Sequence, residues 1–154
     1  MSNNIKYLEQ KSSDYRKTTL EIIYNSGAGH TGGSLSCLDI LNVLYNNVLN
    51  ITPKNFSSKD RNQYIHSKGH SVEALYTVLC DQGFFAKSDL DTLNNFNSHF
   101  IGHPTRKING IEHNTGALGH GLSVAVGMAL SKKMNGSDKN VYTLLGDGEL
   151  SEGS

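Results

Sequence analysis

The sequence predicts an α/β fold in which a parallel sheet carries helices on both faces. Two short apolar runs, over residues 62–66 and 141–145, are typical of buried strands. Helical patterns flank and separate them, and such alternation favours a parallel sheet covered on both sides. Only two strands are convincing, and a two-stranded sheet is marginal on its own. We therefore expect residues 1–154 to be the N-terminal part of a larger domain.

Apolar periodicity predicts the helices around these strands. They cover residues 6–25, 37–49, 72–81 and 120–134. A shorter helix is expected to open at Ser88-x-x-Asp91, which resembles a capping box. Between them we expect a glycine-rich loop over residues 26–36 and mostly loop over residues 94–114. The helix over residues 120–134 is rich in small and apolar residues, which predicts close packing and an apolar face that another element must cover.

Composition excludes several classes of partner. The chain has 14 Lys and Arg against 14 Asp and Glu, a formal net charge of zero, so we expect neither nucleic acid nor a membrane as partner. No apolar run approaches the length of a membrane span, and no apolar leader follows Met1. We therefore expect a cytoplasmic protein. Cys37 and Cys80 are expected to be buried core thiols rather than a disulfide or a metal pair.

The second strand ends in the most informative motif, Gly146-Asp147-Gly148. It places one carboxylate at the carboxyl end of a strand, where open α/β sheets bind ligands. The glycines allow the backbone to turn sharply and to approach a ligand, and the carboxylate suits Mg²⁺ or Ca²⁺. An N-cap is the alternative interpretation of Asp147. The helix macrodipole alone is sufficient to explain Glu149, whereas Glu152 is equally consistent with capping and with function.

Histidine recurs beside glycine elsewhere in the chain. A lone histidine usually lies at the surface, and we interpret His99 and His113 in that way. His30, His70 and His103 each lie next to glycine in a tight turn. If those turns converge at the sheet edge, their imidazoles could hold phosphate or hydroxyl oxygens, or transfer protons near neutral pH. Neither a dinucleotide fingerprint nor a P-loop occurs.

Taken in order, these segments resemble the N-terminal, diphosphate-binding region of transketolase. The similarity covers nearly the whole chain, through residues 26–36, 67–70, 102–104, 111–121 and 145–153. The run Gly-His-Thr-Gly-Gly-Ser-Leu-Ser is most similar to split transketolases, in which this region and the pyrimidine-binding region are separate polypeptides.

The resemblance implies a cofactor, a metal and a reaction. The cofactor is thiamine diphosphate, with Mg²⁺, or else Ca²⁺ or Mn²⁺, held by Asp147. His30, His70 and His103 are implied to line the channel to the cofactor, and Glu152 to link two active sites across a dimer interface. The implied cofactor contacts are His70, Gly116, Leu118, Gly146, Asp147 and Gly148. The implied reaction transfers a two-carbon ketol unit from a ketose phosphate to an aldose, as in the pentose phosphate pathway.

The same resemblance implies that other groups must come from elsewhere. Ala117 stands where many members have proline and His120 where glutamine is common, and we expect both to be tolerated. Counterparts of the asparagine that completes the metal site, the glutamate that activates the aminopyrimidine and the residues that bind the sugar phosphate do not occur in residues 1–154. We therefore expect a pyrimidine-binding C-terminal subunit or region as partner, in a dimer or heterotetramer, and no transketolase activity from this chain alone.

Two alternatives stay open at this point. The first is a related enzyme such as deoxyxylulose phosphate synthase, against which the Gly29-His-Thr-Gly-Gly33 run argues. The second is a non-catalytic assembly subunit that kept the fold and lost the chemistry. The retention of the three histidines and of Asp147 argues against it, because a decayed site has no physical need for all four.

Overall fold

A computed structural model describes residues 2–154, with side chains from Asn4 onward. In chain order, the helices and strands are α1 (Ser2–Ser26), α2 (Thr31–Val43), β1 (Gln63–His66), α3 (Val72–Asp81), α4 (Lys87–Leu90), α5 (His120–Met134) and β2 (Val141–Leu144). A π-helical turn, Leu44–Val48, continues α2. Short 3₁₀ turns, Gly69–Ser71 and Gly148–Ser151, follow soon after the two strands. No helix within residues 2–154 combines the length and the apolar character needed to cross a membrane.

The two strands pair in parallel. The register runs from Gln63 opposite Val141 to His66 opposite Leu144. α5 leads into β2 and packs against both strands, as a parallel crossover requires. Tyr64 belongs to the main apolar core, whereas the buried Ile65 next to it lies outside that core, because successive strand residues point to opposite faces. The predicted α/β fold, with helices on both faces of a parallel sheet, is confirmed.

The main core lies between β1 and the three helices α1, α2 and α3. α3 is the central element, since every residue from Val72 to Leu79 is buried. Leu38 and Leu41 of α2 are fully buried in this core, and Tyr15 of α1 is buried in it as well. This packing places the start of α2 and the start of α3 near the carboxyl end of β1, the edge at which a ligand site was predicted.

The predicted glycine-rich loop over residues 26–36 is wrong in its extent. The loop covers only residues 27–30, and α2 begins at Thr31. Gly33 lies within α2 and faces His70, and a Cβ added at Gly33 would lie 3.1 Å from the imidazole Cδ2. The glycine therefore serves helix packing. The regular α-helix also ends at Val43, before the predicted residue 49, and the π-helical turn takes up the remainder.

The capping prediction at Ser88-x-x-Asp91 is wrong as well. α4 begins after Ala86, and the carboxylate of Asp89 accepts a hydrogen bond from the Ala86 N–H at 3.0 Å. Ser88 lies inside the helical turn. The acidic residue near the helix start does satisfy a free backbone donor, but it acts two positions earlier than the sequence pattern indicated.

The predicted burial of the second strand also differs. All four residues of β2 are half-buried, because β1 covers only one of its edges within residues 2–154. α5 has the expected uncovered apolar face, a stripe at four-residue spacing formed by Leu122, Val126, Leu130 and Met134, all exposed. Both cysteines are free thiols, Cys37 buried and Cys80 half-buried.

Candidate functional site

The chain segments that follow β1 and β2 lie side by side at one edge of the sheet. The backbone N–H groups of Ser67 and Lys68 both donate to the carbonyl of Leu144, at 3.0 and 3.3 Å. These bonds bring the turn that carries His70 next to the turn that carries Asp147. The two strongest motifs of the sequence are therefore neighbours in space.

The three histidines singled out from the sequence gather at this edge. The rings of His30 and His70 meet edge to face, with centroids 5.4 Å apart. His103 packs on Gly116, where an added Cβ would lie 2.9 Å from the imidazole Cδ2. His30 and His103 are exposed and His70 is half-buried. The predicted convergence of the three turns is present in the structure, and the imidazoles line an accessible surface.

Glycine makes this convergence possible. A Cβ added at Gly69 would lie 2.8 Å from the backbone nitrogen of Gly116, closer than real Cβ contacts allow. The His70 turn and the loop before α5 therefore touch backbone to backbone. Gly116 itself has a φ of +148° and leaves room for the His103 ring. These glycines are packing positions that hold the histidine turns together.

The electrostatic surroundings keep His70 neutral near pH 7. Its partial burial lowers the pKa of His70 below the ordinary value, and the positive charge of Lys68 and the neighbouring His30 and His103 lower it further. A neutral imidazole offers one donor and one acceptor nitrogen. His70 can therefore accept a proton from a bound hydroxyl group as well as donate a hydrogen bond.

Lys68 is a site residue that the sequence analysis missed. It is 7% exposed, and its ammonium group donates to the Gly33 carbonyl at 3.0 Å and to the Ser36 hydroxyl at 3.1 Å. These bonds join the turn after β1 to the first turns of α2. The signal was present as a lysine inside Ser67-Lys-Gly-His70, but the contacts that give it a role are 35 and 32 residues away along the chain.

A cavity of about 430 Å³ opens between these elements. That volume is within the range of small-molecule sites. Its lining combines site residues from both strand ends, namely Gly32, Gly33, Ser36, Lys68, His70, Leu118, Gly146, Asp147, Gly148 and Glu149. A larger cavity, about 800 Å³, lies at the opposite end of the strands and has no histidine in its lining. Most of the predicted cofactor contacts therefore line the smaller cavity, whereas Gly116, His30 and His103 do not.

Asp147 presents an exposed carboxylate to this cavity. It occupies the N-cap position of the turn Gly148–Ser151, yet its side chain makes no capping hydrogen bond. The alternative interpretation as an N-cap is therefore not supported. Within residues 2–154 no group of three or more His, Cys, Asp or Glu is arranged to hold a metal ion. One carboxylate nevertheless fits Mg²⁺ bound to a diphosphate, because Mg²⁺ commonly takes one or two protein carboxylates together with phosphate oxygens.

Glu152 is separate from the cavity. It is exposed and packs beside Gly119, where an added Cβ would lie 3.0 Å from the Cβ of Glu152. Its side chain therefore starts against the loop that precedes α5, outside the cavity lining. The structure brings His70, Leu118 and Asp147 together in the cavity, whereas His30, His103 and Glu152 are not part of its lining.

Glu149 is the second residue that the sequence analysis undervalued. Its side chain is 3% exposed and accepts hydrogen bonds from the Ser67 hydroxyl and from the N–H groups of Gly119 and Gly146, the two amide bonds at 2.9 Å. Burial alone would raise the pKa of Glu149, but these three donors outweigh burial and hold its pKa below the ordinary value. The helix macrodipole is therefore an insufficient explanation for this carboxylate.

Fold and site together define an α/β domain whose ligand cavity lies at the carboxyl ends of parallel strands. Residues 9–154 match the family model described as "Transketolase, thiamine diphosphate binding domain". The chain is 49% identical over 150 residues to a subunit of the apulose-4-phosphate transketolase of Phocaeicola vulgatus, covering 97% of this chain and 53% of that protein. It is 42% identical over 147 residues to 6-deoxy-6-sulfo-D-fructose transketolase subunit SqwG of Clostridium sp., covering 95% and 54%.

Solved structures agree with the sequence comparison. The crystal structure of transketolase from Campylobacter jejuni aligns with a TM-score of 0.89 and 31% identity, covering 96% of this chain and 24% of that chain. The chain belongs to the transketolase family, to its thiamine diphosphate binding domain. The resemblance to the N-terminal region of split transketolases is thereby confirmed. The chain spans about half the length of the two curated relatives.

Proposed function

We propose that this chain provides the diphosphate-binding part of a thiamine diphosphate-dependent transketolase, which transfers a two-carbon ketol unit from a ketose phosphate to an aldose. The observation that carries the proposal is the free carboxylate of Asp147 in the same cavity as His70. A free carboxylate that can bind a metal, beside an imidazole that can transfer a proton, provides the groups needed to anchor a diphosphate and to act on a sugar hydroxyl.

The residues divide into an anchoring and a reacting group. Asp147 would bind the divalent ion, Mg²⁺ or else Ca²⁺ or Mn²⁺, and the ion would bind the diphosphate. Gly146 and Gly148 would leave room for the phosphates, and Gly116 and Leu118 would border the cofactor. When bound, thiamine diphosphate supplies the nucleophilic carbon that takes up the two-carbon unit.

His30, His70 and His103 would act on the sugar rather than on the metal. Their clustering at an accessible surface supports hydrogen bonding to substrate hydroxyl groups. The lowered pKa of His70 supports proton acceptance at neutral pH. Glu152, which is exposed and outside the cavity lining, is proposed to contact the second active site of an assembled enzyme. These roles are inferred from the family motif and from the local geometry.

A partner is part of the proposal. Residues 1–154 correspond to the N-terminal part of the diphosphate-binding domain, and we propose that a pyrimidine-binding C-terminal subunit completes the active site in a dimer or heterotetramer. The names of two relatives designate them as subunits, which supports a split enzyme. The exposed apolar stripe of α5 is consistent with further contacts in the assembly. A cytoplasmic location stays a prediction.

The sugar is proposed only as a class. One relative is named for apulose-4-phosphate and another for 6-deoxy-6-sulfo-D-fructose, so these two sugars deserve testing beside the usual pentose and heptose phosphates. The histidines and Asp147 would contact parts that such ketoses share, namely their hydroxyl groups, and the common cofactor. We therefore propose that discrimination between sugars depends on residues outside 1–154.

A ketol-transfer assay tests the proposal. The full-length protein, mixed with its pyrimidine-binding partner, thiamine diphosphate and Mg²⁺, should transfer the two-carbon unit from a panel of ketose phosphates to an aldose acceptor. Residues 1–154 without a partner should be inactive, and Asp147→Ala should abolish the activity of the complex. Activity from residues 1–154 alone would refute the need for a partner. A complex that assembles but shows neither transfer nor cofactor binding would favour the alternative of a non-catalytic assembly subunit.

A further inference from the structure

The buried carboxylate of Glu149 joins three separate segments of the candidate site. Its Oε1 accepts hydrogen bonds from the Ser67 hydroxyl and from the Gly119 N–H, the latter at 2.9 Å. Its Oε2 accepts from the Gly146 N–H at 2.9 Å. The side chain is 3% exposed, so water hardly competes for these bonds.

Local structure explains only one of these bonds. The contact with Gly146 is three residues away, as is usual where a helical turn begins. The contacts with Gly119 and Ser67 reach 30 and 82 positions along the chain. A glutamate that served only the helical turn could remain in water, as the exposed Glu152 does. Burying a carboxylate is unfavourable unless donors compensate for the lost hydration, so its long-range bonds require their own explanation.

Each of the three donors belongs to a segment that borders the cavity. Ser67 begins the turn that leads to His70, Gly119 ends the loop that follows Gly116, and Gly146 immediately precedes Asp147. Both oxygens of Glu149 are already engaged by these donors. The carboxylate is therefore placed to hold the segments together, while the carboxylate of Asp147 is left free.

We propose that Glu149 is a positioning residue that fixes the Asp147 turn against the other two segments, so that Asp147 meets the metal–diphosphate group in one orientation. The inference rests on the proposed function, because it concerns binding of thiamine diphosphate with Mg²⁺. Glu149 acts through Asp147 and is not itself a metal ligand. Residues of this kind, which orient a ligand without touching the metal, commonly change metal affinity about 10- to 100-fold when replaced.

Glu149→Gln is the direct test. The amide keeps the size of the side chain, but its NH₂ group cannot accept a hydrogen bond, so at least one of the three bonds is lost. In the full-length protein with its partner subunit, we expect calorimetric titration to show thiamine diphosphate with Mg²⁺ binding about 10- to 100-fold more weakly. Glu9→Gln makes the same chemical change at an exposed position of α1 and should leave the affinity unchanged.

Amide hydrogen exchange adds a measurement that does not depend on the cofactor. In Glu149→Gln, at least one of the N–H groups of Gly119 and Gly146, which bond to different oxygens of the carboxylate, should exchange faster, while the amide of Ser67, which bonds to a strand carbonyl, keeps its protection. Ser67→Ala is a milder second variant, because the carboxylate keeps both amide donors. It should weaken cofactor binding less than Glu149→Gln, and the two changes should be non-additive when combined.

The outcomes separate this inference from the function on which it rests. If the wild-type complex binds no thiamine diphosphate, the proposed function is wrong and the inference falls with it. If the wild type binds and Glu149→Gln binds equally well, only the inference is wrong. Weaker binding with faster exchange confined to one or both of these glycine amides supports it. Weaker binding with faster exchange throughout the chain would show a general loss of stability and would overturn the positioning role.

Discussion

Stability should depend on pH through a buried histidine that lies beneath the site. His66 is 3% exposed, with its Nε2 2.8 Å from the Ser71 hydroxyl and its Nδ1 2.8 Å from the Tyr64 hydroxyl. The Ser71 hydroxyl donates to the carbonyl of Lys68 at 3.0 Å, so it accepts from Nε2–H, and Nδ1 accepts from Tyr64. Both ring nitrogens of the neutral imidazole are thus hydrogen-bonded. A second proton would bind at Nδ1 and displace the hydrogen bond that the Tyr64 hydroxyl donates.

Burial, together with the charge of Lys68, lowers the pKa of His66 from 6.5 to about 3. Above pH 6.5 the histidine is neutral in both folded and unfolded chains, and its contribution to stability is fully present. As the pH falls from 6.5 towards 3, only the unfolded chain takes up the proton, so the folded state loses stability. With these two pKa values, linkage gives a loss of about 2 kcal/mol between pH 7 and pH 5.

Urea unfolding of the wild type and of His66→Gln at pH 7 and pH 5 measures this contribution. Other groups titrate in both proteins, so the decisive quantity is the difference between their losses. His66→Gln should lose about 2 kcal/mol less than the wild type over this range, because the amide does not titrate. His99→Gln, at an exposed position, should behave as the wild type does. Equal losses for wild type and His66→Gln would refute the reasoning.

Two further predictions concern packing and charge. Gly69→Ala should lower the free energy of unfolding by about 1–3 kcal/mol, because its Cβ would lie 2.8 Å from the facing backbone. Gly127→Ala, at an open position of α5, should instead raise it by about 0.5–1 kcal/mol. Glu112→Ala should cost about 3–5 kcal/mol, because it leaves the buried Arg61 guanidinium without its partner. Asp138→Ala, which breaks an exposed pair, should change little. Urea unfolding checks all four, and equal effects within either pair would contradict the argument.

Sequence patterns located some elements well and others poorly, for physical reasons. The bounds of α3 and α5 agree with the predicted ranges, 72–81 and 120–134. α3 is buried on all sides, and Gly119 and Gly136, both with positive φ, mark the two ends of α5. The start of α2 was missed because glycine usually opposes a helix, whereas Gly33 packs closely against the ring of His70, which leaves little room for a side chain. This packing is a tertiary contact, which local sequence does not display.

The candidate site likewise contains residues that the sequence predicted and residues that it did not. Asp147 and the histidines were predictable because their chemistry follows from residue type and from the edge of the sheet where parallel strands end. Lys68 and Glu149 were not predictable, because their partners lie 32 to 35 and up to 82 positions away along the chain. The residues expected to touch a ligand were thus easier to find than those that hold them in place.

The most direct test of the central claim is calorimetric titration of thiamine diphosphate with Mg²⁺ into the full-length protein and its pyrimidine-binding partner. The account predicts binding by the wild type and by Asp138→Ala, whose exposed carboxylate lies beyond the opposite end of β2. It predicts a loss of affinity of at least about 10-fold in Asp147→Ala, since the other carboxylate in the cavity lining, Glu149, is engaged by hydrogen bonds. Unchanged affinity in Asp147→Ala, or no binding by the wild-type complex, would contradict the account.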